Sequence, residues 1–253
     1  MLSTQRLKRK LRAGEVCLGT ILALGSPAAA EIAAALGLDF VMIEGEHAAA
    51  DMGTVQAMLQ AMGGSDTVPV LRVARNDATL IKVALDVGVP GIVVPDVRTR
   101  ADAEAAIRAC KYPPAGIRGL GRSRASLWGL RAADYLQRAN EETLVIPIIE
   151  HYEAIENLDE ILSVPGFDAI WFGPADLSAS LGLLGQPQHA RVTEARQRML
   201  DACRRAGLPA GQSSGSAAEA RGLLDQGFTM VMVQSDASLI FNGLQQDLKA
   251  LRH

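Results

Sequence analysis

The stretch Gly37-Leu-Asp-Phe-Val-Met-Ile-Glu44 begins with a glycine that can end a helix and continues through a short turn into an apolar run. Three later stretches, at 88–95, 166–173 and 227–234, resemble it. Apolar runs without polar alternation are typical of strands that are buried on both faces of a parallel sheet. We therefore expect each of the four stretches to contain the end of a helix and then a buried strand.

Four further apolar runs predict a total of eight strands, which begin near Val16, Asp39, Val68, Gly91, Leu144, Asp168, Leu208 and Phe228. Alanine-rich segments with helical periodicity separate them, and one of these starts at Pro27 and ends before Gly37. Asp51 and Asp77 are predicted to cap two more helices. This pattern predicts an α/β fold, a single (β/α)8 barrel domain over residues 1–253. The alternative is a doubly wound open sheet, but no GxGxxG motif follows the first run.

Composition excludes several classes of protein. Hydrophobic residues make up 49% and charged residues 21%, as in a globular chain rather than a disordered one. A net charge of -3 and only 4% aromatic residues disfavour nucleic-acid binding. No apolar run reaches the roughly 18 residues of a membrane span. The three cysteines have no CxxC spacing, so we expect reduced thiols in a cytoplasmic protein that binds no membrane.

Polar residues end most of the apolar runs, and in a (β/α)8 barrel these ends meet at the active-site mouth. Glu150 and Asp176 come from different strands and suit a divalent cation such as Mg²⁺ or Mn²⁺, which takes one or two protein carboxylates and keeps several waters. A salt bridge for Glu150 and a helix cap for Asp176 are the alternatives. The other run-ending residues are Glu44, Glu46, His47, Arg72, His151, Gln212, Ser213, Ser214, Gln234 and Asp236.

Arg72 and His47 are further candidates for chemistry. The planar guanidinium of Arg72 can bind a carboxylate or an enolate oxygen, or it can pair with Glu44 or Glu46. Histidine readily transfers protons near neutral pH, although a lone histidine such as His47 is more often structural.

One connection, residues 111–134, is unusually long and contains Arg118, Arg122, Arg124 and Arg131. Loops of this length in compact domains are usually functional or disordered. We expect it to form an anion-contacting lid over the barrel mouth, and a solvated surface loop is the alternative.

The chain resembles the metal-dependent (class II) pyruvate aldolases of the HpcH/HpaI aldolase/citrate lyase family, which includes hydroxyheptenedioate and dehydrodeoxyglucarate aldolases. The resemblance spans roughly Gly14 to Leu239. It rests on the stretches GLDFVMIEGEH, VPVLRV, LDVGVPGIVVPDV, KYPPAGIRG, IIEHYEAIENLDEI and PGFDAIWFGPADLSASLG. KYPPAGIRG and GPADLSASLG are the most specific of these.

The resemblance implies a barrel of the phosphoenolpyruvate/pyruvate superfamily with a swapped C-terminal helix, assembled as a homohexamer of three dimers. It implies a lyase that cleaves a 4-hydroxy-2-oxo acid reversibly to pyruvate and an aldehyde through a pyruvate enolate, with Mg²⁺, Mn²⁺ or Co²⁺ as cofactor. The implied site consists of Glu150 and Asp176 as metal ligands, the backbone of Gly173, Pro174 and Ala175 around the pyruvate carboxylate, Arg72 at the enolate oxygen and His47 in proton transfer.

Two positions depart from the family pattern. Many members have Asp where this chain has Glu44, and there it can pair with the imidazole that corresponds to His47. We expect Glu44 to take the same role, although its extra methylene leaves the pairing open. Ser213 lies in a polar stretch where a more apolar rim is expected, which favours a hydroxylated or carboxylated aldehyde. Arg124 is expected to contact the far carboxylate of such an aldehyde.

Two other functions remain open from the sequence. One is a different enolate reaction on the same barrel, such as oxaloacetate decarboxylation or a citrate-synthase-like condensation. The other is a non-catalytic oxo-acid sensor, which the presence of a candidate base disfavours.

Overall fold

The strands of the computed structural model, which describes residues 2–252, close into one parallel barrel. Each strand pairs with the next in chain order, and β8 pairs with β1. The predicted (β/α)8 barrel is thereby confirmed, and the open sheet is excluded. The strands are β1 Cys17–Leu22, β2 Phe40–Glu44, β3 Val68–Arg72, β4 Gly91–Val94, β5 Leu144–Ile149, β6 Ile170–Phe172, β7 Ala210–Ser214 and β8 Met230–Ser235.

Helices connect the strands. The two predicted caps are present, because Asp51 accepts a hydrogen bond from the Thr54 N–H and Asp77 accepts from the N–H groups of Thr79 and Leu80. Ser26, which was not predicted as a cap, precedes the helix that begins at Pro27 as expected. The helices are α1 Leu2–Arg12, α2 Pro27–Ala35, α3 Met52–Ala61, α4 Ala78–Val87, α5 Arg100–Cys110, α6 Ala132–Glu142, α7 Tyr152–Glu156, α8 Leu158–Leu162, α9 Pro174–Ser180, α10 Ala190–Ala206, α11 Ala217–Gln226 and α12 Asp236–Arg252. Within residues 2–252, none of them combines the length and apolar composition that a bilayer crossing requires.

Alternation along the strands produces two cores. Outward side chains such as Ile43 pack under the helices, whereas inward side chains such as Met42 fill the barrel. Leu7 and Leu11 of α1 belong to the inner core and close the amino-terminal end of the barrel, which we call the floor. Inward-facing residues that follow the inner-core residues along a strand therefore lie at the opposite end of the barrel, which we call the mouth. The carboxyl ends of the strands lie there.

The C-terminal helix α12 contributes no buried residue. Its first turn is tied to the barrel by the carboxylate of Asp236, which accepts hydrogen bonds from the N–H groups of Ala23 and Leu24 at 2.8 and 3.2 Å. Leu18, on β1, is also exposed. The exposed apolar side chains of α12 are Leu239, Ile240, Phe241, Leu244, Leu248 and Leu251.

The long connection lies at the floor, so the expected lid over the mouth is wrong. Residues 111–131 follow helix α5 rather than a strand, and the helix-to-strand loops of a barrel lie opposite the active-site loops. Arg118, which is 2% exposed, donates to Asp86 Oδ1 on α4 and to the Tyr135 hydroxyl on α6, both at 2.9 Å. Arg118, the first arginine of this loop, is therefore a buried structural residue and does not contact a ligand at the mouth.

Candidate active site

Four predicted site residues meet at the mouth. Residues of the inner core lie two positions before Glu44, Arg72 and Glu150, so these three side chains face the open end of the barrel. Glu44 and Arg72 are also direct partners in the register of β2 and β3. Asp176 lies in the first turn of α9, close behind β6.

Two carboxylates hold the guanidinium of Arg72. Nε and Nη2 lie 2.8 and 2.5 Å from Oε2 of Glu44, and Nη1 lies 3.3 Å from Oε2 of Glu46. The side chains of Arg72 and Glu44 are only 17% and 4% exposed. Because charge-assisted pairs of this kind fix both position and orientation, Arg72 presents a rigid positive charge at the mouth.

Glu44 does not pair with the imidazole of His47, which corrects the expected dyad. Oε1 of Glu44 instead accepts hydrogen bonds from the backbone N–H groups of Glu46 and His47 at 2.7 and 3.0 Å, while Oε2 binds Arg72. Both oxygens of the longer side chain are therefore already engaged. The imidazole is 64% exposed, and its Nε2 lies 3.7 Å from Oε2 of Glu46. Glu46 is thus the carboxylate beside His47.

Glu150 is a buried carboxylate with one oxygen bound to the backbone and the other beside a glycine. Its Oε1 accepts a hydrogen bond from the Asp96 N–H at 2.8 Å. A Cβ atom at Gly173 would lie 2.8 Å from Oε2, so glycine is needed there. The pKa of Glu150 is raised to about 7, mainly by burial and also by the negative charges of Asp176 and Glu46, while the Asp96 hydrogen bond and Arg72 oppose the shift.

Glu46 adds a third carboxylate to the same space. Burial raises the pKa of Glu46 above its ordinary value, although the neighbouring charge of Arg72 opposes this. Its Oε2 is buried and accepts no hydrogen bond from any group in residues 2–252, because the contact with Arg72 lacks hydrogen-bond geometry. The mouth therefore carries negative charge that its own side chains do not fully neutralise.

A divalent cation fits this arrangement. Within residues 2–252 no three His, Cys, Asp or Glu side chains are grouped as a ready metal site. Mg²⁺ and Mn²⁺ need only one or two protein carboxylates, with water and substrate oxygens in the other positions. Oε2 of Glu150 accepts no hydrogen bond from the part of the chain that the structure describes, and Asp176 is exposed at the start of α9, so these two residues can supply the carboxylates.

Residues 173–175 offer fewer backbone N–H groups to a substrate carboxylate than the resemblance implies. The N–H of Gly173 donates to the Ile149 carbonyl at 3.1 Å, and Pro174 has no N–H. Of the three predicted residues, Ala175 alone can offer an N–H, since first-turn N–H groups have no partner within the helix.

The remaining predicted residues lie in different places. Ser213 pairs in register with the inner-core Met232, so it is the residue of the polar stretch 212–214 that faces the barrel interior. Arg124 lies at the floor, where Nη1 donates to the Val87 carbonyl at 2.8 Å, and it does not join the mouth of its own chain. The reason is its place in a helix-to-strand connection.

Sequence reasoning assigned no role to Asp96. It follows β4 directly after Pro95, and its N–H binds Glu150. The available signal was positional, because Asp96 is the first polar residue after the fourth apolar run. The apolar run itself ends at Pro95, so the apolar pattern stops one residue before Asp96.

The chain is similar in sequence to proteins named as aldolases. The chain is 40% identical over 247 residues to the hydroxypyruvate/pyruvate aldolase of Pseudomonas aeruginosa, covering 97% of this chain and 92% of that protein. It is 41% identical over 235 residues to the 4-hydroxy-2-oxo-heptane-1,7-dioate aldolase of Escherichia coli, covering 92% and 89%.

Solved structures of similar fold belong to the same group of proteins. The crystal structure of an HpcH/HpaI aldolase/citrate lyase family protein from Burkholderia cenocepacia J2315 matches with a TM-score of 0.94 at 37% identity, covering 98% of this chain and 99% of that one. The family model of HpcH/HpaI aldolase/citrate lyase matches residues 18–243. The chain belongs to the HpcH/HpaI aldolase/citrate lyase family.

Proposed function

We propose that this protein is a cation-dependent lyase that cleaves a 4-hydroxy-2-oxo acid reversibly to pyruvate and an aldehyde. The observation that carries the proposal is the meeting of Arg72, Glu150 and Asp176 at the mouth of a chain about 40% identical to named aldolases. Those names favour aldol cleavage over oxaloacetate decarboxylation, a citrate-synthase-like condensation or a non-catalytic sensor.

Glu150 and Asp176 would hold the cation, which we take to be Mg²⁺, Mn²⁺ or Co²⁺. When bound, the cation would act as a Lewis acid on the ketone of pyruvate. The support is electrostatic, because the raised pKa values of Glu150 and Glu46 show that ionised carboxylates are costly in this space without a further positive charge.

Arg72 would stabilise the enolate oxygen. Its guanidinium is already fixed by Glu44 and Glu46, so little reorganisation is needed when negative charge develops on the substrate. Glu44 is then a residue that orients Arg72 rather than one that orients His47.

His47 would carry the proton. In cleavage, its Nε2 would accept the proton of the 4-hydroxyl group and then deliver a proton to the methylene carbon of the enolate, which gives pyruvate. In synthesis it would remove a methyl proton of pyruvate and deliver a proton to the aldehyde oxygen. Glu46, 3.7 Å from Nε2, would stabilise the protonated imidazole. Ala175 would donate its N–H to the pyruvate carboxylate, and Ser213 would line the aldehyde side of the mouth.

The test is an aldol assay on protein stripped of metal with a chelator and then supplied with Mg²⁺, Mn²⁺ or Co²⁺. Pyruvate and hydroxypyruvate serve as donors, with glycolaldehyde and succinic semialdehyde as acceptors. We also expect cation-dependent exchange of the methyl protons of pyruvate into deuterated water. Exchange without aldol product on any acceptor would favour another enolate reaction, and absence of exchange with every cation would contradict the proposal.

We further propose that α12 packs against another copy of the chain in a homohexamer of three dimers. The support is the uncovered apolar face of α12 together with exposed Leu18 on β1. Light scattering of the wild-type protein and of a Leu244→Glu/Leu248→Glu variant tests this, since the charged variant should give smaller species. Residence in the cytoplasm stays a prediction.

A further inference from the structure

Asp96 has a backbone conformation that few side chains tolerate. Its φ is 54°, in the left-handed region, directly after the end of β4. Non-glycine residues seldom adopt this region, and Asp and Asn are the types that do so most readily. The conformation matters because it accompanies the 2.8 Å hydrogen bond from the Asp96 N–H to Oε1 of Glu150.

The side chain of Asp96 closes the same turn. Its two oxygens accept hydrogen bonds from Nε and Nη2 of Arg98 at 2.6 and 2.8 Å. The backbone of Arg98 is tied on both sides, because its N–H donates to Asp102 at the start of α5 and its carbonyl accepts from Asn157. The turn that carries the Asp96 N–H is therefore anchored to two neighbouring elements.

These contacts determine how Glu150 can be used. Oε1 is occupied by the Asp96 N–H, whereas Oε2 lies against Gly173, which has no side chain to cover it. Both oxygens of Asp96 are engaged by Arg98, so Asp96 itself is a poor candidate for a ligand. What the residue offers to the site is its N–H.

We propose that Asp96 is a positioning residue: its left-handed turn orients the Glu150 carboxylate and leaves Oε2 as the oxygen that binds the cation. This inference rests on the proposed cation site at Glu150 and Asp176. It predicts that the backbone conformation at position 96, rather than the carboxylate of its side chain, determines the affinity for the cation.

Calorimetric titration of chelator-stripped protein with Mn²⁺ tests the inference on four variants. Asp96→Asn and Asp96→Gly keep access to the left-handed region, so we expect their dissociation constants to stay within about threefold of wild type. Asp96→Val and Asp96→Ala disfavour it, and we expect affinity to fall by about 10-fold or more, as for other groups that orient metal ligands. If the valine variant fails to fold, the alanine variant carries the comparison.

Asp86→Val is the matched control. It removes the partner of buried Arg118 at the floor, so it should lower the Tm while leaving Mn²⁺ affinity unchanged. A loss of affinity in Asp96→Val that exceeds the loss in a control of equal Tm therefore cannot be a general effect of stability.

The outcomes separate the inference from the function on which it rests. Wild-type affinity in both Asp96→Val and Asp96→Ala would overturn the positioning role, and so would an Asp96→Asn protein as weak as the valine variant. If wild type fails to bind Mn²⁺, or if Glu150→Gln binds it equally well, the proposed cation site is wrong and the inference falls with it.

Discussion

The two ends of the barrel both bury charged side chains, but they treat the charges differently. At the floor, Nζ of Lys8 contacts Asp168 at 3.0 Å and the Thr143 carbonyl at 3.1 Å. Lys111 donates to the same carbonyl and to that of Asn140. The ammonium groups of these two buried lysines are surrounded by acceptors.

At the mouth, the buried groups are mainly anions, and their partners are incomplete. Oε2 of Glu46 lacks a hydrogen bond within residues 2–252, and the pKa of Glu150 is raised to about 7. Partly unsatisfied buried carboxylates are costly, so their grouping in an open mouth is typical of a site that awaits a ligand. Most of the buried charge at the floor is paired within the chain and is structural, although Nε of Arg118 also lacks a hydrogen bond within residues 2–252.

Removal of the Glu150 charge should have the largest effect on activity. Glu150→Gln, like Asp176→Asn, should lower kcat/KM by about 10³-fold or more, because several kcal/mol of transition-state stabilisation depend on the cation. Steady-state assays and Mn²⁺ calorimetry measure this. At the floor, Asp168→Asn should lower the Tm with little effect on kcat/KM. Unchanged Mn²⁺ affinity in both mouth variants would exclude these residues as ligands.

Arg72→Lys should have the next largest effect. A lysine cannot reproduce the contacts of Nε and both Nη atoms with Glu44 and Glu46, so we expect kcat/KM to fall by about 10²- to 10³-fold. Arg118→Lys is the matched change at the floor, where the guanidinium lies 4.5 Å from the ring centre of Tyr112. It should reduce the free energy of unfolding and leave the kinetics unchanged. Equal kinetic losses in both variants would mean that the effect is structural.

Glu44 and Glu46 should differ in the kinetic step that they affect. Glu46 lies beside His47, so Glu46→Gln should mainly lower kcat, by about 10- to 100-fold. Glu44 holds Arg72 and the backbone of residues 46 and 47, so Glu44→Gln should mainly raise the KM for pyruvate. The opposite assignment, with the kcat loss in Glu44→Gln, would restore the dyad expected from the sequence.

These residues show how far sequence reasoning reached. The barrel, and the place of Glu150, Asp176 and Arg72 at its mouth, could be predicted because apolar runs locate strands and strand ends locate the mouth. The partner of Glu44 could not be predicted, because one methylene group decides whether its carboxylate reaches the imidazole of His47 or the guanidinium of Arg72. The length of the loop 111–131 does not indicate which end of the barrel it covers, whereas its position after helix α5 places it at the floor. Asp96 acts through its backbone, which no side-chain pattern reveals.

The stability of the cation-free protein should depend on pH through Glu150. Its ordinary pKa of 4.5 is raised to about 7 in the folded state. Between these values the folded state retains a proton that the unfolded state has released, so stability should fall as pH rises from 4.5 to about 7. The raised pKa of Glu46 acts in the same direction.

Thermal unfolding of chelator-stripped protein across this pH range measures the effect. Glu150→Gln should flatten the decline, and Mn²⁺ should raise the Tm most at the upper end of the range, where the carboxylate is ionised. A Tm that rises with pH in the wild-type protein would contradict the electrostatic description of the mouth.

The smallest effect is expected at Arg124. In this chain its guanidinium binds the Val87 carbonyl at the floor and forms no ion pair among residues 2–252, so Arg124→Ala should cost about 1 kcal/mol of stability. Burial alone lowers its pKa, which is consistent with a cation that has no carboxylate beside it. Acting only within its own chain, Arg124 should influence KM equally for succinic semialdehyde and glycolaldehyde. A KM increase confined to the carboxylated aldehyde would require Arg124 to reach the mouth of another copy, and the division between structural floor and functional mouth would then hold within a chain but not within the assembly.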